Sequence, residues 1–245
     1  MKKAEKYYGK APTDKIDVGL LTGIQSNPLR TNVNMETKVE GLWGAGGVTW
    51  TGCAWQGAVS APGGVRGAGI GTCQITGRIA GQNAGAYAAA AKQGNIDTAQ
   101  VEQYKNEVYK PLGRKSGVNP VDIIREIAEE TIIDLDQTIR RSGERMEKAI
   151  AFIEQKKASL DDMVAVDGHG LTKCMEAKGI VMNAEAMHRS GLLRKESRGS
   201  FNREDYPDRD DMNPPTWTIV ELKKDNTLDV FAEPVPFENY RYKPE

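Results

Sequence analysis

One arginine lies inside a run of glycines in the stretch PGGVRGAGIGTCQITGRIAG, residues 62–81. Glycine-rich turns and a helix N-terminus both present backbone N–H groups with partial positive charge, so this stretch could hold an anion or a cofactor. Tight packing of a loop explains the same composition equally well. The spacing does not match the GxGxxG dinucleotide fingerprint, which needs a preceding strand and a later acidic residue. The residues concerned are Arg66 and its neighbours Gly63, Gly64, Gly67, Gly69 and Gly71.

A second glycine cluster lies upstream, in VEGLWGAGGVTW, residues 39–50. Its three later glycines, Gly44, Gly46 and Gly47, lie between Trp43 and Trp50. Glycine weakens a strand unless another group must approach the backbone closely. Fourteen of the 26 glycines fall between residues 41 and 85. That concentration predicts a loop-rich site or a tightly packed sheet here, and not a helical bundle.

The elements that would position these clusters change character along the chain. Residues 1–93 are predicted to form a glycine-rich β portion that ends in a small-residue helix with Thr76 as its N-cap. Residues 94–197 are predicted to be helical, with Asp97 and Asn119 as N-caps. Residues 198–245 form a C-terminal extension that contains a β-hairpin with its turn at Asp225 and Asn226.

Apolar residues at helical spacing predict a bundle between residues 94 and 197. The stretch NPVDIIREIAEETIIDLDQTIRR reads as one long helix, and GERMEKAIAFIEQKKASLDDM and LTKCMEAKGIVMNAEAMHRSGLLRKES follow as further helices. Packing of these apolar stripes against one another is the interpretation that we favour. The first stripe consists of Ile124, Ile127, Thr131, Leu135 and Ile139, and the second of Met146, Ile150, Ile153 and Leu160.

Composition argues against several functional classes. The net charge is -1 and basic residues are spread along the chain, which gives no electrostatic case for nucleic-acid binding. No apolar run approaches the roughly 20 residues of a membrane helix, and no signal peptide is recognisable. The three cysteines, Cys53, Cys73 and Cys174, show no CxxC spacing. We therefore expect no metal site, free thiols and a cytoplasmic location.

Two separated motifs carry a resemblance to a known family. GIQSNPLRTNVNMETKVEGLWGAGGV, followed by the glycine loop and TGRIAGQNAGAYA, resembles the C-terminal part of the FAD-binding domain of succinate dehydrogenase/fumarate reductase flavoproteins. L-aspartate oxidase and the adenylylsulfate reductase flavoprotein are members of the same family. LLRKESRGSFNREDYPDRDD, residues 192–211, is similar to the segment that follows the family's helical domain. The resemblance implies an α+β fold: the C-terminal part of a Rossmann-like FAD-binding domain, a helical-bundle domain and a C-terminal β-hairpin extension.

The same resemblance implies a flavin enzyme. FAD would be the cofactor, and the reaction would be hydride transfer at a C–C or C=C bond next to an acyl or carboxylate group. In the family, glycines let the backbone approach FAD and a helix N-terminus points at the flavin ring, where it would stabilise negative charge. Arg66 would correspond to the arginine that binds the substrate carboxylate. The residues implied for cofactor binding are Gly46, Gly47, Val48, Ala68, Gly69 and Ile70.

The chain also departs from the family pattern. Gly47 stands where the family has an acidic residue that contacts the FAD ribose. The family's histidine before its GGI strand is absent, and Ser200 and Phe201 replace its Ala-His pair. These differences weigh against succinate or fumarate and favour a bulkier or less charged substrate.

The family's N-terminal Rossmann half and capping domain would precede Met1. We therefore expect either that this chain is a fragment or, as we favour, that a second polypeptide supplies both and completes the FAD site. An iron–sulfur protein would be a further partner for electron transfer. Two other interpretations stay open: a non-catalytic assembly subunit that retains the fold, and a flavoenzyme that acts on sulfur substrates.

Two further features are predicted to be structural. His169 and His188 are the only histidines, and both lie in contexts that favour packing over acid–base catalysis. The run REDYPDRDD is predicted to form a solvated network of ion pairs that locks the C-terminal segment to the helical domain, with a metal or substrate site as the less favoured alternative.

Overall fold

A computed structural model describes residues 29–49, 69–92, 94–198, 201–213, 216–235 and 238. The described residues group into two compact units, one of residues 29–49 and 69–85 and one of the residues from 86 onward. The helices and strands are, in chain order, α1 (Gly69–Ala90), α2 (Thr98–Tyr109), α3 (Pro120–Ile127), α4 (Leu135–Thr138), α5 (Gly143–Lys157), α6 (Gly168–Leu193), β1 (Thr216–Leu222) and β2 (Leu228–Pro234). The predicted combination of a helical region with a C-terminal hairpin is confirmed.

The first unit contains α1 up to Gly85 and a compact run of turns, residues 29–49. Two isolated bridges, Leu29 with Thr49 and Glu36 with Trp43, are all that its described residues show of the predicted β portion. The Asn32 side-chain oxygen accepts the N–H groups of Asn34 and Glu36 and so holds the turn between them. This run folds back on itself by local hydrogen bonds and not by strand pairing.

Helix α1 begins at Gly69, so the prediction that Thr76 is its N-cap is wrong. Glycine is a poor helix former, which is why the sequence suggested a later start. Thr76 instead lies inside α1, where it is 4% exposed and its hydroxyl accepts the N–H of Gly46. The hydroxyl that looked like a local cap therefore serves a contact 30 residues away.

The helices of the second unit begin at side-chain caps. Asp97 accepts the N–H groups of Ala99 and Gln100, and Asn119 accepts that of Val121 ahead of Pro120. Both caps were predicted, and both are confirmed. Each satisfies a backbone donor that the first turn of a helix leaves without a partner.

The predicted long helix from residue 119 to 141 is interrupted. After α3 the backbone forms a π-helical segment, Ala128–Ile133, and then the short α4. A π segment changes the number of residues per turn, so side chains beyond it leave the apolar face. Ile127 and Thr131 are fully buried, whereas Leu135 and Ile139 are about half exposed, which corrects the predicted stripe.

Helix α6 forms the centre of the second unit. It packs against α5 and α3, and the hairpin lies on it as well. Small residues such as Ala177 and Ala184 on α6 allow close approach of the neighbouring helices. The predicted stripe of α5 is confirmed for its first three members. The buried core consists of Ile123, Ile127, Ile153, Met163, Ala165, Leu171, Cys174, Ala177, Val181 and Ala184.

The hairpin matches the prediction closely. Strands β1 and β2 pair antiparallel from Thr216 opposite Pro234 to Leu222 opposite Leu228. Asn226 adopts φ 62°, a conformation that asparagine tolerates better than most residues. The Asp225 carboxylate accepts the N–H and hydroxyl of Thr227 and so fixes the turn.

The segment between α6 and the hairpin is organised by one buried arginine. Arg203 is 3% exposed, and its Nη1 donates to the carbonyl oxygens of Gly191, Leu192 and Arg194 at 2.8–3.1 Å. These carbonyls lie at the C-terminal end of α6, where a cation is favourable. The Nε and Nη2 groups of Arg203 donate to the two carboxylate oxygens of Asp205.

Asp205 completes the connection to α5. Its Oδ2 accepts the N–H of Gly143, 2.8 Å away, at the start of that helix, where an anion is favourable. The hydrogen bonds from Arg203 are the main reason that the pKa of Asp205 is lowered to about 2. The predicted ion-pair network is thus confirmed, with the difference that its central arginine is buried and not solvated.

We predict that Arg203→Met lowers the free energy of unfolding by about 3 kcal/mol, because three helix-end carbonyls and Asp205 lose their donors. Urea denaturation followed by circular dichroism measures this loss. Arg209→Met is the matched control, since Arg209 pairs with Asp211 on the surface and its loss should cost less than about 1 kcal/mol. Equal effects of the two substitutions would contradict the central role of Arg203.

The lowered pKa of Asp205 predicts that the stability of the fold depends on pH. A carboxylate with a lowered pKa stabilises the fold above its unfolded pKa of about 4, and this contribution is lost as the pH falls towards about 2. The stability difference between the wild type and Asp205→Asn should therefore shrink between pH 4 and pH 2. Urea midpoints across that range measure it, and a constant difference would rule out the ion pair as the cause.

Candidate functional site

The glycine cluster of residues 44–47 forms a tight turn. Gly46–Val48 is a single 3₁₀ turn, and Gly46 has φ +73°, a conformation that favours glycine. The Gly46 carbonyl accepts both the N–H and the hydroxyl of Thr49. The Val48 carbonyl accepts the N–H of Leu29 at 2.7 Å, which holds the end of the turn.

The turn is fixed against α1 by a buried hydrogen bond. The Gly46 N–H donates to the Thr76 hydroxyl at 2.9 Å. Further along the same helix face, Ala80 is buried, and the Asn83 side chain donates to the carbonyl of Asn34. Sequence reasoning missed this role of Thr76, although Thr76, Ala80 and Asn83 follow the spacing of one helix face.

The three glycines differ in what surrounds them. A Cβ on Gly44 would lie 2.8 Å from a Thr49 methyl, and one on Gly46 would lie 3.0 Å from the Cys73 sulfur. Packing within the chain therefore explains both of these glycines. Among the residues that the structure describes, a Cβ on Gly47 would meet nothing within 4 Å. Gly47 is thus the glycine of this turn whose backbone is open to a group from outside.

The start of α1 lies close to this turn, because Cys73, which touches Gly46, is only one helical turn from Gly69. Gly69 and Ile70 belong to the first turn of α1, where backbone N–H groups have no partner within the helix. That turn contains no acidic residue, and Ile70 is 79% exposed. The structure thus places Gly46, Gly47 and Val48 in one turn that contacts α1 at Cys73 and Thr76, and places Gly69 and Ile70 in the first turn of that helix. The assignment of these five residues to cofactor binding stays a prediction.

The other two predicted site residues are not placed. Arg66 and Ala68 lie outside the described residues, as do Trp50 and Cys53. Their assignment to substrate or cofactor binding stays a prediction from the resemblance.

Helix α1 has an unusual surface for a helix in water. Of its 22 residues, Arg78 alone is charged. Nevertheless, Thr76 and Ala80 are the only buried positions among its residues with described burial, and Ile75 and Tyr87 are 64% and 39% exposed. Helices that lack charge around their circumference are normally buried in a larger protein.

The two histidines differ in their surroundings, and among the described residues only His188 has a structural contact. His188 is 2% exposed, and its Nε2 donates to the carbonyl of Thr131 in the π-helical segment at 2.9 Å. Burial is the main reason that the pKa of His188 is lowered, so it is neutral. His169 lies exposed in the first turn of α6.

Two other kinds of site are not seen in the described part of the chain. No group of three or more His, Cys, Asp or Glu side chains there is arranged to hold a metal ion. None of the helices described is long and apolar enough to cross a bilayer.

Comparison with known proteins identifies relatives. Residues 130–245 match the family described as fumarate reductase flavoprotein C-term. An uncharacterised FAD-dependent oxidoreductase of Methanocaldococcus jannaschii is 27% identical over 74% of this chain and 31% of its own length. The fumarate reductase flavoprotein subunit of Mycobacterium tuberculosis is 29% identical over 84% of this chain and 36% of its own length.

The fold has solved counterparts as well. Quinol fumarate reductase of Escherichia coli superposes with a TM-score of 0.65 and 25% identity, covering 82% of this chain and 35% of the larger one. The predicted resemblance is confirmed: this chain is a relative of the C-terminal part of the succinate dehydrogenase/fumarate reductase flavoproteins. It spans about a third of the length of the relatives that it matches.

Gly46 is packed against Cys73 and Gly47 is not, and substitution by alanine tests this difference directly. Gly46→Ala should destabilise the first unit by about 1–3 kcal/mol, because alanine is strained at positive φ and its methyl meets Cys73. Gly47→Ala should change stability by less than about 0.5 kcal/mol. Amide hydrogen exchange of residues 44–49 measures both effects. Equal destabilisation by the two alanines would show that Gly47 is also required for packing within the chain.

Proposed function

We propose that this relative of the fumarate reductase flavoproteins is one part of an FAD-dependent oxidoreductase whose FAD site is completed by a second polypeptide. The reaction that we propose is hydride transfer at a C–C or C=C bond next to an acyl or carboxylate group. The observation that carries the proposal is the Gly46–Val48 turn, which is fixed to the first turns of α1 and open at Gly47.

The described residues fit a flavin in two ways. The open backbone at Gly47 lets a planar or polyhydroxyl group approach more closely than any side chain would allow. The backbone N–H groups of Gly69 and Ile70, at the positive end of α1, would stabilise negative charge on a bound group. When bound, FAD would supply the hydride-accepting or hydride-donating chemistry.

The fixed turn would contribute orientation. Because Gly46 is held by Thr76 and Val48 by Leu29, the Gly47 backbone cannot move away when a ligand binds. Such preorganisation lowers the entropy cost of binding. The exposed side chains of Val48 and Ile70 would cover apolar ring surface and exclude water from it.

The surface of α1 supports a partner polypeptide. A 22-residue helix with one charge is costly to leave in water, and its apolar side chains Ile70, Ile75 and Tyr87 are exposed. A polypeptide that carries the N-terminal Rossmann half and the capping domain would cover this helix. An iron–sulfur protein is the further partner that we propose for electron transfer.

Arg66 is proposed as the catalytic residue of this chain. Its guanidinium would bind the substrate's acyl oxygen or carboxylate through two parallel hydrogen bonds and would hold the reacting carbon in place. The flanking glycines would allow the substrate to approach.

A non-catalytic assembly subunit is the second candidate. It is favoured by Gly47, which replaces the family's acidic ribose ligand, and by the absence of the family's histidine before its GGI strand. A chain with this role would keep the fold and the partner contact without flavin chemistry.

Co-purification of the full chain with a Rossmann-half partner separates the two candidates. We expect the complex to show flavin absorbance. Gly47→Val should lower FAD affinity by about tenfold or more, because its side chain would occupy the space of the cofactor. Gly113→Val, at another glycine with open surroundings, should retain FAD.

The same complex tests Arg66. Arg66→Gln should keep the flavin spectrum but lose substrate-dependent bleaching, since it removes the anchor for the substrate and not the cofactor contact. A colourless wild-type complex would reject the flavoenzyme and support the assembly subunit. Retention of full FAD affinity by Gly47→Val would reject the assignment of the turn.

A further inference from the structure

Arg141 is an arginine with no counter-ion among the described residues, in an otherwise balanced cluster. It lies between α4 and α5, is partly buried, and its guanidinium stacks 4.9 Å from the centre of the Phe201 ring. Phe201 in turn packs against Gly191 on α6, where an added Cβ would lie 3.4 Å from the ring. The ring therefore supports one face of the guanidinium group.

The neighbouring arginines all have carboxylate partners. Arg140 and Arg145 both bind Glu204, at 2.8 and 2.6 Å, and Arg203 binds Asp205. Arg140 also pairs with Asp136. Among the residues that the structure describes, no carboxylate lies within ion-pair distance of Arg141, and no hydrogen bond is made by its guanidinium.

The missing partner has an energetic consequence. Burial lowers the pKa of Arg141, and no nearby acid offsets that effect. Arginine nevertheless stays charged in proteins, so the free-energy cost of removing this charge from water destabilises the folded protein. His188, whose pKa is lowered by burial and then by Arg141, is neutral and offers no compensating charge.

We propose that Arg141 is the anchor of an oxyanion-binding site that takes a carboxylate or phosphate group. The guanidinium is planar, stacked on Phe201 and free of internal acceptors, so its N–H edge is available for two parallel hydrogen bonds to such a group. Partial exposure gives the anion access from solvent. This site lies in the helical unit and does not depend on flavin binding.

Thermal unfolding of the purified chain with added anions tests the proposal. Succinate and inorganic phosphate are titrated separately at constant ionic strength, with sodium chloride as the reference. We expect at least one of them to raise the melting temperature saturably. Arg141→Met keeps a side chain of similar length over Phe201 but removes the charge, and it should weaken the apparent affinity by about tenfold or more.

Two further variants make the result specific. Arg141→Lys keeps the charge without the planar fork and should bind with intermediate affinity. Arg125→Met removes the exposed pair with Asp122 and should retain wild-type anion binding. Without added anion, Arg141→Met should be at least as stable as the wild type, because the uncompensated desolvation cost is removed. The proposal is overturned if neither anion stabilises the wild type beyond chloride, or if Arg141→Met responds like the wild type.

Discussion

The helical unit depends on one buried guanidinium. Arg203 supplies donors to the last carbonyls of α6 and binds the carboxylate that accepts the first N–H of α5. One ion pair thus neutralises the ends of two helices that carry opposite partial charges. It also fixes the segment that leads from α6 to the hairpin, because Ser197 accepts the N–H of Arg203 and donates to the carbonyl of Tyr206. Helix packing and hairpin placement are therefore coupled through a single side chain.

The first unit is held together differently. Its turns are joined to α1 by the Gly46–Thr76 hydrogen bond, by the fit of Gly46 against Cys73 and by the weaker contact of Asn83. Most of α1 remains exposed although it carries one charge. The described residues of this unit bury few apolar side chains, so the partner that we propose would raise its stability by covering α1. The proposal of a site completed by two polypeptides predicts this behaviour.

Sequence predicted best those elements that local contacts determine. The caps at Asp97 and Asn119 and the turn at Asp225 and Asn226 each depend on residues within three positions, and all were predicted correctly. The π-helical segment was missed because it accompanies a contact between Thr131 and His188, 57 residues apart. Thr76 was misassigned for the same reason, since its hydrogen bond reaches back to Gly46.

The candidate site shows how far composition alone can lead. A cluster of glycines predicted close approach to the backbone, and that is what the structure has, but the approaching group differs from residue to residue. Gly44 and Gly46 make room for Thr49 and Cys73 of the same chain, whereas none of the described residues lies where a Cβ on Gly47 would be. The sequence cannot distinguish these cases. It shows a glycine at each position but does not show which group lies where the Cβ would be. A glycine-rich motif therefore supports a ligand only at those positions where the chain itself leaves the space empty.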